Sequence, residues 1–297
     1  MCMDYKYQMY FGIRVMLLNL TMRVNQLLAL LSLLTFLPWF GCLNIRISDE
    51  EHCNIRPCYV MNLVCNNNGS IGECQENAYL VAEKEFREDI EQIFNTLRNS
   101  VAGGKEYRNL PMAARMGKMY WDNELAKFAR LDVQRCQVSP RPLMCSINFN
   151  HIGRLVELYG YHSDNRSSAT EETIRSITSS WMAQVPSITR YQTLHLPSEF
   201  DDQTALLHSA LLLIEYNTRF GCAALSYTSN IYTYMILSCI FGTDTQDGQR
   251  LYSWGATPGN KCQHRDTRYS NLCARGEKYS YDITRRSFDA LRMSKIK

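Results

Sequence analysis

No C-x-x-C pair occurs anywhere in this chain of 297 residues, and no Lys/Arg block carries interleaved aromatics. The first absence, with the irregular cysteine spacing, excludes the common zinc-finger frameworks. The second, together with a net charge of only +3, gives no reason to expect a nucleic-acid partner. After residue 40 no stretch approaches the ~18 consecutive apolar residues that a membrane helix needs. There is no internal repeat and no low-complexity tract, so the chain reads as one or at most two ordinary domains.

Cysteine is what the sequence has in quantity, 12 residues in all. Cys2 and Cys42 lie in or before an apolar N-terminal region. The others form an even set, Cys53, Cys58, Cys65, Cys74, Cys136, Cys145, Cys222, Cys239, Cys262 and Cys273. Such a set spread through a chain points to a disulfide framework and a secreted protein. Leu27 to Phe40, preceded by Arg23, has the length of a signal-peptide core rather than of a span, with a signal anchor as the alternative. Met22 would start that signal, and cleavage would fall between Gly41 and Glu50. On this reading the chain meets the membrane only through its signal peptide. Asn68 and Asn165 each head an N-x-S glycosylation acceptor.

In order, residues 1–48 are an upstream extension and signal peptide, 49–75 a cysteine-rich arm, 76–260 the main domain, and 261–297 a basic extension and tail. The arm has no helical period. Ile90, Ile93, Phe94, Leu97 and Val101 then form one stripe of a first helix, expected from Glu76 to Val101 and stopped by Gly103-Gly104. Trp121, Leu125, Phe128 and Ala129 mark a second helix. Phe149 to Glu157 is expected as a strand. Thr170 to Val185 reads as a third helix with Ile174, Ile177 and Trp181 on one face, and Ser198 to Leu207 as a short fourth. From Lys261 onward, ten Lys/Arg face four Asp/Glu; this is a solvated tail, or a substrate for processing at Arg285-Arg286.

The stretch 206–241, LLHSALLLIEYNTRFGCAALSYTSNIYTYMILSCIF, is the densest apolar region. Three runs, Ser209–Ile214, Phe220–Tyr227 and Tyr232–Phe241, read as consecutive antiparallel strands. His208 would stand at the entrance to the first. Runs this continuous need cover on both faces, which gives an α+β fold: a three-layer α-β-α sandwich around a small antiparallel sheet.

Asn95-x-x-Arg98, WDNELAKFA at 121–129, His208, Gly221-Cys222 and Cys239 together resemble the CAP superfamily of cysteine-rich secretory, antigen-five and pathogenesis-related proteins. The four-cysteine arm and YSNLCARGEKY at 269–279 are most similar to its insect antigen-five branch. The resemblance runs from about Cys53 to Tyr279. It implies the α-β-α sandwich and the pairings Cys53–Cys65, Cys58–Cys145, Cys74–Cys136 and Cys222–Cys239, leaving Cys262–Cys273.

Many members of that family hold a divalent metal on two histidines and two acidic residues. At the corresponding positions this chain keeps His208 but has Pro140, Arg141 and Pro142 for the other histidine, Arg154 after Gly153, and Gln184 three residues after Trp181. One imidazole is too few donors for a cation, and His151 is expected on the opposite strand face from Arg154. Neither cofactor nor metal is therefore expected. Ser209 beside His208 makes no dyad, since neighbouring residues on a strand face opposite ways. The resemblance thus implies a secreted, non-enzymatic protein acting on an extracellular protein partner in reproductive, salivary or venom fluid. The alternative is a carrier of a sterol or fatty acid, with Leu207, Leu211 and Leu213 either lining a cavity or forming core; a metal-dependent hydrolase is the least favoured reading.

Overall fold

The computed structural model describes residues 49–72, 74–162, 169–197 and 204–279. The expected signal segment, the Asn165 acceptor and Arg285-Arg286 lie outside the described residues.

The buried stripe Ile90, Phe94, Leu97 and Val101 defines helix α1, Arg87–Gly103. Glu88 and Asp89 occupy its first turn, where the helix dipole favours acid. Gly104, at φ +66°, ends it in the left-handed conformation. The start expected at Glu76 is too early. Tyr79–Leu80 instead forms strand β1, antiparallel to the centre of the sheet, and Glu83–Glu85 is a 3-10 turn. The partner of β1 is 145 or more residues away in sequence, so no local periodicity announces it.

Trp121 also belongs elsewhere than expected. Tyr120–Trp121 is strand β2, paired in parallel with the sheet. Helix α2, Asn123–Val133, begins after it, because the Asp122 carboxylate accepts the backbone N–H groups of Glu124 and Leu125. Strand β3 is Gly153–His162, later than the Phe149–Glu157 expected. Helix α3 is Ala169–Met182, and Pro186 sits not at its end but inside a separate 3-10 turn, Val185–Ser187.

The largest correction concerns Ser209–Ile214. Those residues are not a strand: Thr204–Leu211 is helix α4, and the chain then turns to strand β4, Arg219–Ser229, and strand β5, Tyr232–Phe241. The fourth helix expected at Ser198–Leu207 runs on to Leu211, and residues 198–203 of the expected span lie outside the described residues. Leu207, Ala210 and Leu211 lie one helical turn apart and are all buried. A short, wholly buried helix and a buried strand present the same continuous apolar run.

The sheet order is β1-β4-β5-β3, antiparallel throughout, with β2 added in parallel to β4. Cys222 stands directly opposite Cys239 in the β4–β5 pairing. Alternate residues serve two cores. Phe220, Cys222, Ala224, Leu237, Cys239 and Phe241 face α1, α3 and α4. Ala223, Leu225, Ile236 and Ile240 face α2 and the cysteine-rich arm. This is a three-layer α-β-α sandwich. Residues 255–273 lie against 112–118 through backbone hydrogen bonds from Gly255, Gly259, Lys261 and Cys273 to Met112, Ala113, Ala114 and Met116. The C-terminal segment as far as Tyr279 is therefore part of the folded body.

Candidate functional site

Asn95 and Arg98 set the frame on which α4 is hung. Both are fully buried in α1. The Asn95 side chain exchanges two hydrogen bonds with the Met119 backbone. The Arg98 guanidinium donates to the carbonyls of Gly117, Leu212, Ile214 and Glu215 at 2.6–3.2 Å. Burial pulls its pKa down to about 10, so it remains charged at neutral pH. It supplies donors to the Gly117 and Leu212 carbonyls and adds a second donor to those of Ile214 and Glu215, which also accept the N–H groups of Asn217 and Gly117.

Beside the start of β3 lies a cleft of about 380 Å³, lined by Val138, Arg141, Arg154, His208, Leu211 and Asp244 among others. His208 and Arg154 are brought together here; Gln184 is not among the lining residues. His208, on α4, is half-buried, and desolvation lowers its pKa while the nearby Glu157 carboxylate raises it. Glu157 accepts a hydrogen bond from Ser180 of α3. Sequence reading passed over Glu157, although its parity with Leu155 on β3 puts it on the face toward α4.

Arg154 is not a bare positive charge opposing a cation. Its Nε and Nη2 donate to the two oxygens of Asp132 at 2.7 and 3.1 Å, and its Nη1 donates to the Val138 carbonyl at 2.9 Å. Asp132 is fully buried on α2 and accepts further hydrogen bonds from Ser238 and Arg135. The guanidinium is thus held by a bidentate pair with a carboxylate that Arg135 shares. Asp132 falls seven residues after Leu125, within the buried stripe of α2. An acid at that place in an apolar stripe is the signal that could have revealed the pair.

Where the resemblance places a first histidine, Arg141 donates to Asp244 at 2.7 Å and to the Ile152 carbonyl. Ser209 is fully buried; its hydroxyl donates to the Trp181 carbonyl at 2.7 Å and accepts from the Gln184 N–H at 3.2 Å. The earlier strand-face reason for separating Ser209 from His208 fails with the strand, but the hydroxyl is committed to the α3–α4 contact. Leu207 and Leu211 do line the cleft, whereas Leu213 is wholly core. His151 precedes β3 rather than lying on it. Among the described residues no group of three or more His, Cys, Asp or Glu is disposed to hold a metal ion.

On the opposite layer, Glu124 of α2 accepts from Ser146 and Asn148 and contacts His52 of the arm at 3.1 Å. The bonded cysteine pairs are Cys53–Cys65, Cys58–Cys145, Cys74–Cys136, Cys222–Cys239 and Cys262–Cys273. Asn68 is exposed on the arm. No helix among the described residues is long and apolar enough to cross a membrane.

Residues 92–241 match the model of the cysteine-rich secretory protein family, CAP. Tabinhibitin 6 of Tabanus yao is 28% identical over 234 residues, covering 78% of this chain and 89% of that protein. Venom allergen-1 of Aedes albopictus is 23% identical over 252 residues, covering 83% and 94%. Among solved structures, NaASP2 with Zn²⁺ superposes with a TM-score of 0.50 at 20% identity, covering 67% of this chain and 99% of its own. BmVAL-1 does so with a TM-score of 0.50 at 18% identity, covering 69% and 97%. At those identities the two structures speak for the fold.

Proposed function

The chain belongs to the cysteine-rich secretory protein (CAP) family, and on that premise we propose that it is a secreted, non-enzymatic binding protein whose partner is an extracellular protein. The observation that carries this reading is the state of the cleft. The polar groups in and behind it are tied into the scaffold: Arg154 to Asp132, Arg141 to Asp244, and buried Ser209 to the Trp181 carbonyl. His208 is left with the Glu157 carboxylate acting on it electrostatically, and one imidazole supplies too few donors for a catalytic zinc.

The five bonded cysteine pairs support an extracellular setting. Similarity to a protein named venom allergen-1 supports a secreted fluid such as saliva or venom as the place of action. A cleft with Arg141, Arg154, His208 and Asp244 on its walls is a poor receptacle for a sterol or acyl chain, because an apolar ligand would desolvate those charges.

Purified protein tests this in two arms: capture of partners from extracellular fluid, and solvent extraction followed by mass spectrometry. A specific protein partner with no stoichiometric lipid is the expected result. A sterol or fatty acid recovered at one per chain would establish the carrier function instead. Hydrolytic activity abolished by His208→Ala would establish an enzyme.

A further inference from the structure

The two sides of the sheet end differently. On the β4 side the outer strands β1 and β2 are two residues each. On the other side β3 runs for 10 residues and pairs with β5 without a skipped partner. Among the described residues no strand lies outside β3, and from Leu155 to Tyr161 no backbone-to-backbone hydrogen bond runs anywhere but to β5. In an antiparallel pair alternate residues aim both N–H and C=O away from the partner, so β3 presents an outer row of donors and acceptors that no other strand among the described residues meets. Natural edges are blunted by lysine, proline, bulges or cover. Leu155–Tyr161, LVELYGY, has no lysine and no proline, and its unbroken register excludes a bulge. Leu158 and Tyr159 are 43% and 37% exposed on its two faces.

We infer that the outer edge of β3 is a dimer interface, on which a second copy of this chain lays its own β3 antiparallel to make one continuous sheet. A two-fold axis perpendicular to the sheet pairs each residue with one of the same face. The axis passes at Tyr159, on three grounds. Leu158 then stands opposite Gly160 of the second copy, where there is no side chain and the Tyr234 ring lies 2.8 Å from the place a Cβ would take; an aliphatic group seats on an aromatic face. Glu157 and Tyr161 stand opposite one another across the axis with their own partners kept, Ser180 for the carboxylate and Thr233 for the hydroxyl, so neither needs a new one. No like charges meet, whereas an axis at Glu157 would set two carboxylates against each other. This self-matching of residues 157–161 favours a second copy over a foreign strand.

Light scattering on the full chain, expressed in a secretory host and run through a dilution series, tests the inference. Wild type is expected at twice the monomer mass, dissociating on dilution. Leu158→Lys and Tyr159→Lys, each a lysine on the edge, are expected at the monomer mass with the melting temperature of the dissociated wild type, which separates lost pairing from misfolding. Tyr159→Cys is expected to give a covalent dimer on mild oxidation, because the two thiols meet at the axis. A wild type that is monomeric at every concentration overturns the inference. So does a dimer that survives both lysine variants. A monomer that needs Leu158 to bind a different protein would assign the edge to a foreign strand and equally overturn it.

Discussion

His208 and Arg154 line one cleft but are held there by different means. Desolvation holds the His208 pKa below its unfolded value. As pH falls past ~6.5, the unfolded chain takes up this proton first. Stability is therefore complete above that pH, declines down to the folded pKa, and is level below it. Urea midpoints measured from pH 7.5 to 5 should fall more steeply for wild type than for His208→Leu. Equal slopes would mean the imidazole is not desolvated. Arg154 acts through its pair with Asp132. Removing one member of a buried pair strands the other, at a cost of about 3–5 kcal/mol. Arg154→Glu should be worse than Arg154→Met, since it adds a like charge beside buried Asp132. Titration of Zn²⁺ into the parent should show no binding that His208→Ala removes; tight stoichiometric binding lost in that variant would reveal ligands outside this account.

At the scale of elements, each helix is held by a contact that one substitution can break. Phe94 and Trp181 are both buried at 1% exposure or less, under the sheet face that α1 and α3 cover. An aspartate at either site buries an unpaired charge, several kcal/mol against a total of roughly 5–15, so neither variant should be secreted folded. Gly221 is more specific. A Cβ there would lie 2.1 Å from the Ala126 backbone nitrogen, so β4 and α2 approach as closely as they do only because this residue has no side chain. Gly221→Ala should shift α2 and cost about 1–3 kcal/mol, the range for overpacking, read as a lowered denaturation midpoint; an unchanged midpoint would mean the approach is looser than described. The helical stripes of α1 and α3 were legible in sequence because their periodicity is local, the two long strands of the hairpin because their β-branched and aromatic runs are bounded by polar breaks, and the layers because such runs need cover on both faces. Helix α4 was not, since an apolar run buried on all sides carries no period. Strands β1 and β2 were not either, since two-residue strands exist only by pairing with distant β4. His208 and Arg154, named from the resemblance, both line the cleft, while Asp244 on its wall and Asp132 and Glu157 behind them come from separate elements and needed the fold.

For the molecule as a whole, the cross-links divide into two kinds. Cys53–Cys65, Cys222–Cys239 and Cys262–Cys273 close short loops, with separations of 12, 17 and 11 residues. Cys58–Cys145 and Cys74–Cys136 span 87 and 62 residues and tie the arm to the chain that follows α2. The arm contributes Leu63, Val64 and Cys65 to the core under α2, but its helical content is a single turn at Asp49–His52 and a 3-10 turn at Tyr59–Met61. Covalent ties rather than secondary structure therefore keep it in place. In the chain-entropy account a longer loop loses more unfolded-state freedom, about 4–5 kcal/mol for the two long bridges against about 3 for the short ones. Cys58→Ala with Cys145→Ala should accordingly lower stability more than Cys262→Ala with Cys273→Ala, by about 1–2 kcal/mol. Limited proteolysis should then cut the arm first in the former variant and the C-terminal segment first in the latter. Alkylation of the denatured, unreduced wild type should label no thiol from Cys53 to Cys273. If two or more are labelled, or if the two paired variants melt alike with no change in the site of cutting, the arm is held by its apolar contacts and not by its bridges.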